Sequence, residues 1–145
     1  MPENLCKEWL KLVVRSMQKL NQKYIYNTVK RALREDLAPK GDVTTKLLSF
    51  KNKRFRAKII AKQNGIIAGL DFCKTAFQIV GNDSIFLKKV KDGSVVKKNK
   101  VVAEIEAKTK TILKAERTAL NFLSHASGIA TLTNKYVNKV RKTTK

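Results

Sequence analysis

The chain is 145 residues long, one domain's length, and carries Lys+Arg 32 against Asp+Glu 11, a formal charge of +21. Two cysteines, Cys6 and Cys73, cannot make the disulfide framework of a small secreted scaffold. No apolar run approaches the roughly 20 residues needed to span a bilayer, so the expectation is a soluble protein of the cytoplasm with no membrane partner.

In chain order, Leu5, Trp9, Leu12, Val13 and Leu20 recur at helical spacing with Lys and Arg on the other face. A core-facing or partner-facing helix is the commoner outcome of that pattern, ahead of a membrane-surface helix. Asn21 breaks it. Ile25, Val29, Ala32 and Leu33 then predict a second helix ending near Leu37, ahead of Pro39 and Gly41. The loop Gly41-Asp42-Val43-Thr44-Thr45 combines a permissive glycine, a carboxylate and two hydroxyls. Its simplest role is structural, Asp42 closing a turn and Thr44 or Thr45 capping the short segment after it; ligand contact is the alternative.

From Arg54 the period changes to two. Phe55, Ala57 and Ile59 alternate with Arg54, Arg56 and Lys58, as in a half-buried strand. Gln63-Asn64-Gly65 supplies a turn whose glycine can take positive φ, and Ile66 to Gly69 is expected to return as a second strand. Asp71 suits a helix N-cap, with Phe72, Ala76 and Ile79 as the stripe and Gly81 as the stop. Ile85 to Val90, Val95-Val96 and Val101 to Ile105 read as short strands divided by Asp92-Gly93 and Lys98-Asn99-Lys100.

The last stretch, Lys114 to Val140, is a helix pattern interrupted at Ser127-Gly128. On a wheel, Leu113, Leu120 and Leu123 form an apolar stripe with Arg117 on its edge and Ser124, Ser127 and Gly128 beside it. Arg117 is therefore expected to face something packed, and a desolvated guanidinium needs an anion. Either a carboxylate of the protein, Glu116 or another acid, or a carboxylate or phosphate of a ligand meets that need. The order of elements gives an α+β fold, a small antiparallel sheet with one inserted helix and flanking helices. The expected division is 1–20, an amino-terminal helical extension; 21–112, the α+β domain; and 113–145, a helical segment.

Chemistry-bearing motifs are otherwise sparse. The chain has neither GxxxxGK[ST] nor GxGxxG nor HExxH. His125 is its single histidine, which suits a helix surface or interface and cannot build a zinc site alone. The net charge raises nucleic acid as a partner. Because basic residues, mostly Lys, are spread over the whole length and aromatics are 7 %, a solvated lysine-rich surface is the simpler reading.

Glu116-Arg117-Thr118-Ala119-Leu120-Asn121-Phe122-Leu123, followed by Ser127-Gly128-Ile129-Ala130-Thr131 and Thr133, resembles the ERxALNxL…SGIATxT signature of the quinolinate phosphoribosyltransferase family. Glu35-Asp36-Leu37 with Gly41 to Thr45, Asn64 to Gly69 and Asp92 to Val96 match further motifs of that family in order. The resemblance implies that residues 21–112 are the family's small antiparallel sheet sandwich domain, which normally packs on an α/β barrel, and that the barrel is absent from this chain. It implies transfer of phosphoribosyl from phosphoribosyl pyrophosphate (PRPP) to quinolinate with Mg²⁺, decarboxylation to nicotinate mononucleotide, and a place in NAD synthesis. By position, Arg117 would reach the neighbouring subunit's pocket and pair with a quinolinate carboxylate, in a homodimer or higher even oligomer. Glu116, Asn121 and Ser127 would orient that helix, and Asp42 and Thr44 would be supporting.

A barrel of that type takes on the order of 200 residues, so this chain alone is expected to be inactive, with the barrel removed by truncation or encoded as a separate chain. Arg141-Lys142-Thr143-Thr144 is similar to the RKTT that opens the family's barrel site, but comes after Val140 without the intervening strand. Molybdenum-transport-associated homologues share these motifs. Three readings result: the amino-terminal portion of the phosphoribosyltransferase, an interaction module or relic of that domain, and last a basic nucleic-acid-binding domain.

Overall fold

A computed structural model describes residues 20–37 and 53–143. The amphipathic stretch from Leu5 and the loop bearing Asp42 and Thr44 lie outside the described residues. The elements are α1 (Gln22–Leu37), β1 (Arg54–Ile60), β2 (Gly65–Ile66), α2 (Leu70–Val80), β3 (Ile85–Lys88), β4 (Val95–Val96), β5 (Val101–Lys108) and α3 (Thr109–Thr143). They form an α+β arrangement, with a three-stranded sheet in the order β1-β5-β3 and a two-stranded ribbon β2-β4. All pairings are antiparallel.

β5 is central, pairing with β1 on one side and β3 on the other. Ala103, Ile105 and Ala107 are buried, while Glu104 and Glu106 alternate with them opposite Lys58 and Arg56 of β1. α1 places Ile25, Val29 and Leu33 in the core, one turn apart, as its spacing requires. Asn21, where the apolar pattern breaks, starts this helix: its Oδ1 accepts from Lys23 N at 2.8 Å and its carbonyl from Ile25 N at 3.1 Å. α2 adds Leu70, Cys73, Ala76 and Phe77. Burial pushes the Cys73 thiol up to about 12, so it packs as a small hydrophobe.

Two local expectations are replaced. β2 does not fold back on β1 but pairs with β4, Gly65 opposite Val96 and Ile66 opposite Val95. Gly65 needs no positive φ; it is small because a Cβ there would sit 2.8 Å from Thr131 Oγ1 of α3. Nor does Asp71 cap α2. The cap position is Gly69 at φ 93°, and Asp92, from the β3–β4 turn, accepts from Gly69 N at 3.2 Å and Leu70 N at 3.1 Å. A left-handed glycine lets the chain enter the helix, and a distant carboxylate satisfies its first amides.

Candidate functional site

α3 is one continuous helix of 35 residues, with no interruption at Ser127-Gly128. Helix-interior glycine costs about 1 kcal/mol relative to alanine, which neighbouring packing can offset. Two hydroxyls supply that anchoring. Ser127 Oγ accepts from Ala68 N at 3.0 Å and donates to Ala68 O at 3.2 Å. Thr131 Oγ1 accepts from Ile66 N at 2.8 Å and donates to Ser127 O at 2.7 Å. The Ser127–Thr131 stripe thus stands in for a strand along β2, and α3 is held in a fixed register on the sandwich.

The face of α3 that enters the core is made of small residues. Ala115, Thr118 and Ala119 are buried, and Leu123 is 6 % exposed. Thr118 donates to Asp36 Oδ2, tying α3 to the end of α1, and Phe122 stacks on Phe72 of α2 with ring centroids 5.2 Å apart. The expected leucine stripe is therefore split. Leu113 and Leu120 point outward, 39 % and 37 % exposed, with Arg117 exposed between them. Arg117 does not meet packed protein within this chain, and among the described residues no carboxylate forms an ion pair with it. Glu116 is likewise exposed.

Beside this face runs an open groove of about 950 Å³ between α1 and α3. Tyr24, Thr28, Glu35 and Asp36 line one wall; Asn121, Ser124, His125 and Gly128 line the other. Asn121 and His125 so reach the groove, whereas Ser127 is committed to Ala68. Sequence reasoning left Asp36, Thr118, Asp92 and Thr131 without roles. Asp36, Asp92 and Thr131 stand inside the quoted motifs, but their partners lie 82, 22 and 65 residues away, beyond any local pattern.

The described donor set does not fit a divalent cation. Among the described residues no group of three or more His, Cys, Asp and Glu side chains converges. No described helix is long and apolar enough to cross a membrane.

The profile of the family described as quinolinate phosphoribosyl transferase, N-terminal domain, matches residues 42–127. A probable carboxylating nicotinate-nucleotide pyrophosphorylase of Methanocaldococcus jannaschii is 37 % identical over 123 residues, covering 84 % of this chain and 41 % of the relative. The carboxylating nicotinate-nucleotide pyrophosphorylase of Mycobacterium leprae is 34 % identical over 119 residues, 81 % of this chain and 42 % of that protein. In three dimensions the chain is similar to the nicotinate-nucleotide pyrophosphorylase of Francisella tularensis, with TM-score 0.79 and 30 % identity over 86 % of this chain and 43 % of that one. It is similar also to NadC of Streptococcus pyogenes, with TM-score 0.77 and 34 % identity over 82 % of this chain and 43 % of that one. The chain thus spans about two fifths of the length of these proteins.

Proposed function

The chain belongs to the quinolinate phosphoribosyltransferase family, of which it carries the N-terminal domain, and we propose on that premise that it is the substrate-completing part of such an enzyme. The complete enzyme transfers phosphoribosyl from PRPP to quinolinate, with loss of pyrophosphate and CO₂, yielding nicotinate mononucleotide for NAD synthesis in the cytoplasm.

One observation carries the reading: α3 holds Arg117 outward on a rigid helix, between exposed Leu113 and Leu120, without a carboxylate of its own among the described residues. A planar guanidinium in that state is preorganised for a carboxylate brought by another surface, and bidentate pairing suits one carboxylate of quinolinate. The two leucines would be covered when the neighbouring subunit of a homodimer or higher even oligomer docks, which desolvates the pair and strengthens it. Glu116, Asn121 and Ser127 orient α3 or its interface, Ser127 through its bonds to Ala68. Asp42 and Thr44 would keep the supporting role that the family resemblance gives them. Mg²⁺ would serve the complete enzyme, with its ligands supplied by the barrel, as the family resemblance implies.

The barrel would come from a continuation of the same chain or from a separate one. An interaction module without catalysis would use the same outward face, with exposed Ile129 and Leu132 offering a second apolar surface along the groove. Protein isolated from its native source, with everything that stays bound, separates the two. Nicotinate mononucleotide formed in strict dependence on quinolinate, PRPP and Mg²⁺ is the expected result. An intact assembly that forms none would overturn the enzymatic reading and leave the module.

A further inference from the structure

Along the sequence the basic residues are evenly spread, but the fold sorts them. On the outer face of the three-stranded sheet, Asp83, Glu104 and Glu106 pair with Arg54, Arg56, Lys89 and Lys108. Asp71 pairs with Lys88. Asp92 is occupied by the two amides of α2, and Asp36 by Thr118. These contacts neutralise much of the sheet face and leave few carboxylates for the rest of the surface.

Elsewhere, two lysine-bearing turns are locked side by side. Ala61 N donates to Lys100 O at 2.9 Å, and Asn99 N donates to Ala61 O at 2.8 Å. Lys98 N donates to Asn64 Oδ1 at 2.8 Å. Asn99 takes the left-handed conformation, φ 69°, that Asn tolerates and that closes the Lys97–Lys100 turn. Lys62, Lys97, Lys98 and Lys100 are thereby gathered into one corner, all exposed.

None of these four amines forms an ion pair with a described carboxylate.

We propose that this lysine corner docks the phosphate backbone of a nucleic acid, without reading its bases. Closely spaced amines with no carboxylate to neutralise them favour a polyanion with repeating charges, through counterion release. The two turns, Lys62 to Asn64 and Lys97 to Lys100, carry no aromatic side chain to stack on a base and no apolar one to enter a lipid interface. Contact is thus to phosphate and independent of sequence.

The test uses the full 145-residue chain and a fluorescein-labelled single strand of about 20 nucleotides, read by anisotropy across a salt series. One variant replaces Lys62, Lys97, Lys98 and Lys100 with Gln. A control removes the same charge elsewhere, at Lys23, Arg31, Lys53 and Lys110, also to Gln. The corner variant is expected to bind at least tenfold more weakly and to lower the slope of log K on log salt by about 2 to 3, near 0.7 per lost phosphate contact. The control is expected to change affinity less than threefold. Equal losses in both sets would reduce the effect to net charge and overturn the proposal. So would binding of the wild-type chain to equimolar phosphatidylserine–phosphatidylcholine vesicles with none to the oligonucleotide. Circular dichroism checks folding; if the fourfold variant is unfolded, the pair Lys97→Gln/Lys98→Gln decides the question by the same comparison against Lys23→Gln/Lys110→Gln.

Discussion

Ser127 and Thr131 each use one hydroxyl twice, as acceptor from a β2-side amide and as donor to a carbonyl. Truncation to an apolar isostere strands a part-buried N–H, which costs about 1–3 kcal/mol. Thr131→Val is therefore expected to lower stability in urea unfolding by that amount, and Thr131→Ser to restore most of it; equal losses for both would mean that the methyl packing matters, not the bond. Glu104 gives a pH signature. The hydrogen bond from Lys89, whose Nζ lies 3.1 Å from Oε2, holds the Glu104 carboxyl below its usual range, against the opposing push of desolvation. Its folded value lies below its unfolded one, so this contribution is complete above the ordinary carboxylate range and fades as pH falls through the folded value. Glu104→Gln should flatten the acid limb of the stability curve. An unchanged acid limb would dismiss the pair as a contributor.

At the scale of elements, α3 decides where everything outward points. A Gly inside a long helix invites a break, yet Gly128 has nothing within 4 Å of where a Cβ would stand and α3 passes through it unbroken. Gly128→Ala is then expected to stabilise the isolated chain by about 0.5–1 kcal/mol, seen as a higher melting midpoint. A lower midpoint would show that the helix needs a bend there. The Ile25, Val29 and Leu33 stripe and the alternation of β5 were readable from sequence because periodicity is a local property. The buried face of α3 was not. Large leucines announce a core, but close packing of α3 on the sandwich selects Ala115, Thr118 and Ala119, and Leu113 and Leu120 are turned outward. The β2–β4 pairing and the cap from Asp92 were equally hidden, since each joins segments more than 20 residues apart.

For the whole molecule, the family was legible in short motifs whose residues the fold now explains individually. Asp92 closes the start of α2, Gly65 admits Thr131, and Ser127 fixes α3 along β2. What those motifs leave pointing outward is Arg117, with Leu113 and Leu120 on the same face. Under the proposed function, this face of α3 presents the Arg117 guanidinium to a surface outside the chain. In the isolated chain, the exposed leucines and the extension of α3 through Tyr136 predict binding of an apolar fluorescent dye and concentration-dependent association in sedimentation; a dye-silent monomer at all concentrations would contradict a docking face.

The most direct measurement is steady-state kinetics of the barrel-containing assembly with Arg117→Ala against wild type, varying quinolinate at saturating PRPP. Loss of a charge-assisted pair should raise the KM for quinolinate at least tenfold and leave the KM for PRPP within about twofold. A quinolinate KM unchanged by the substitution would contradict the claim that α3 exists to carry this guanidinium to the substrate.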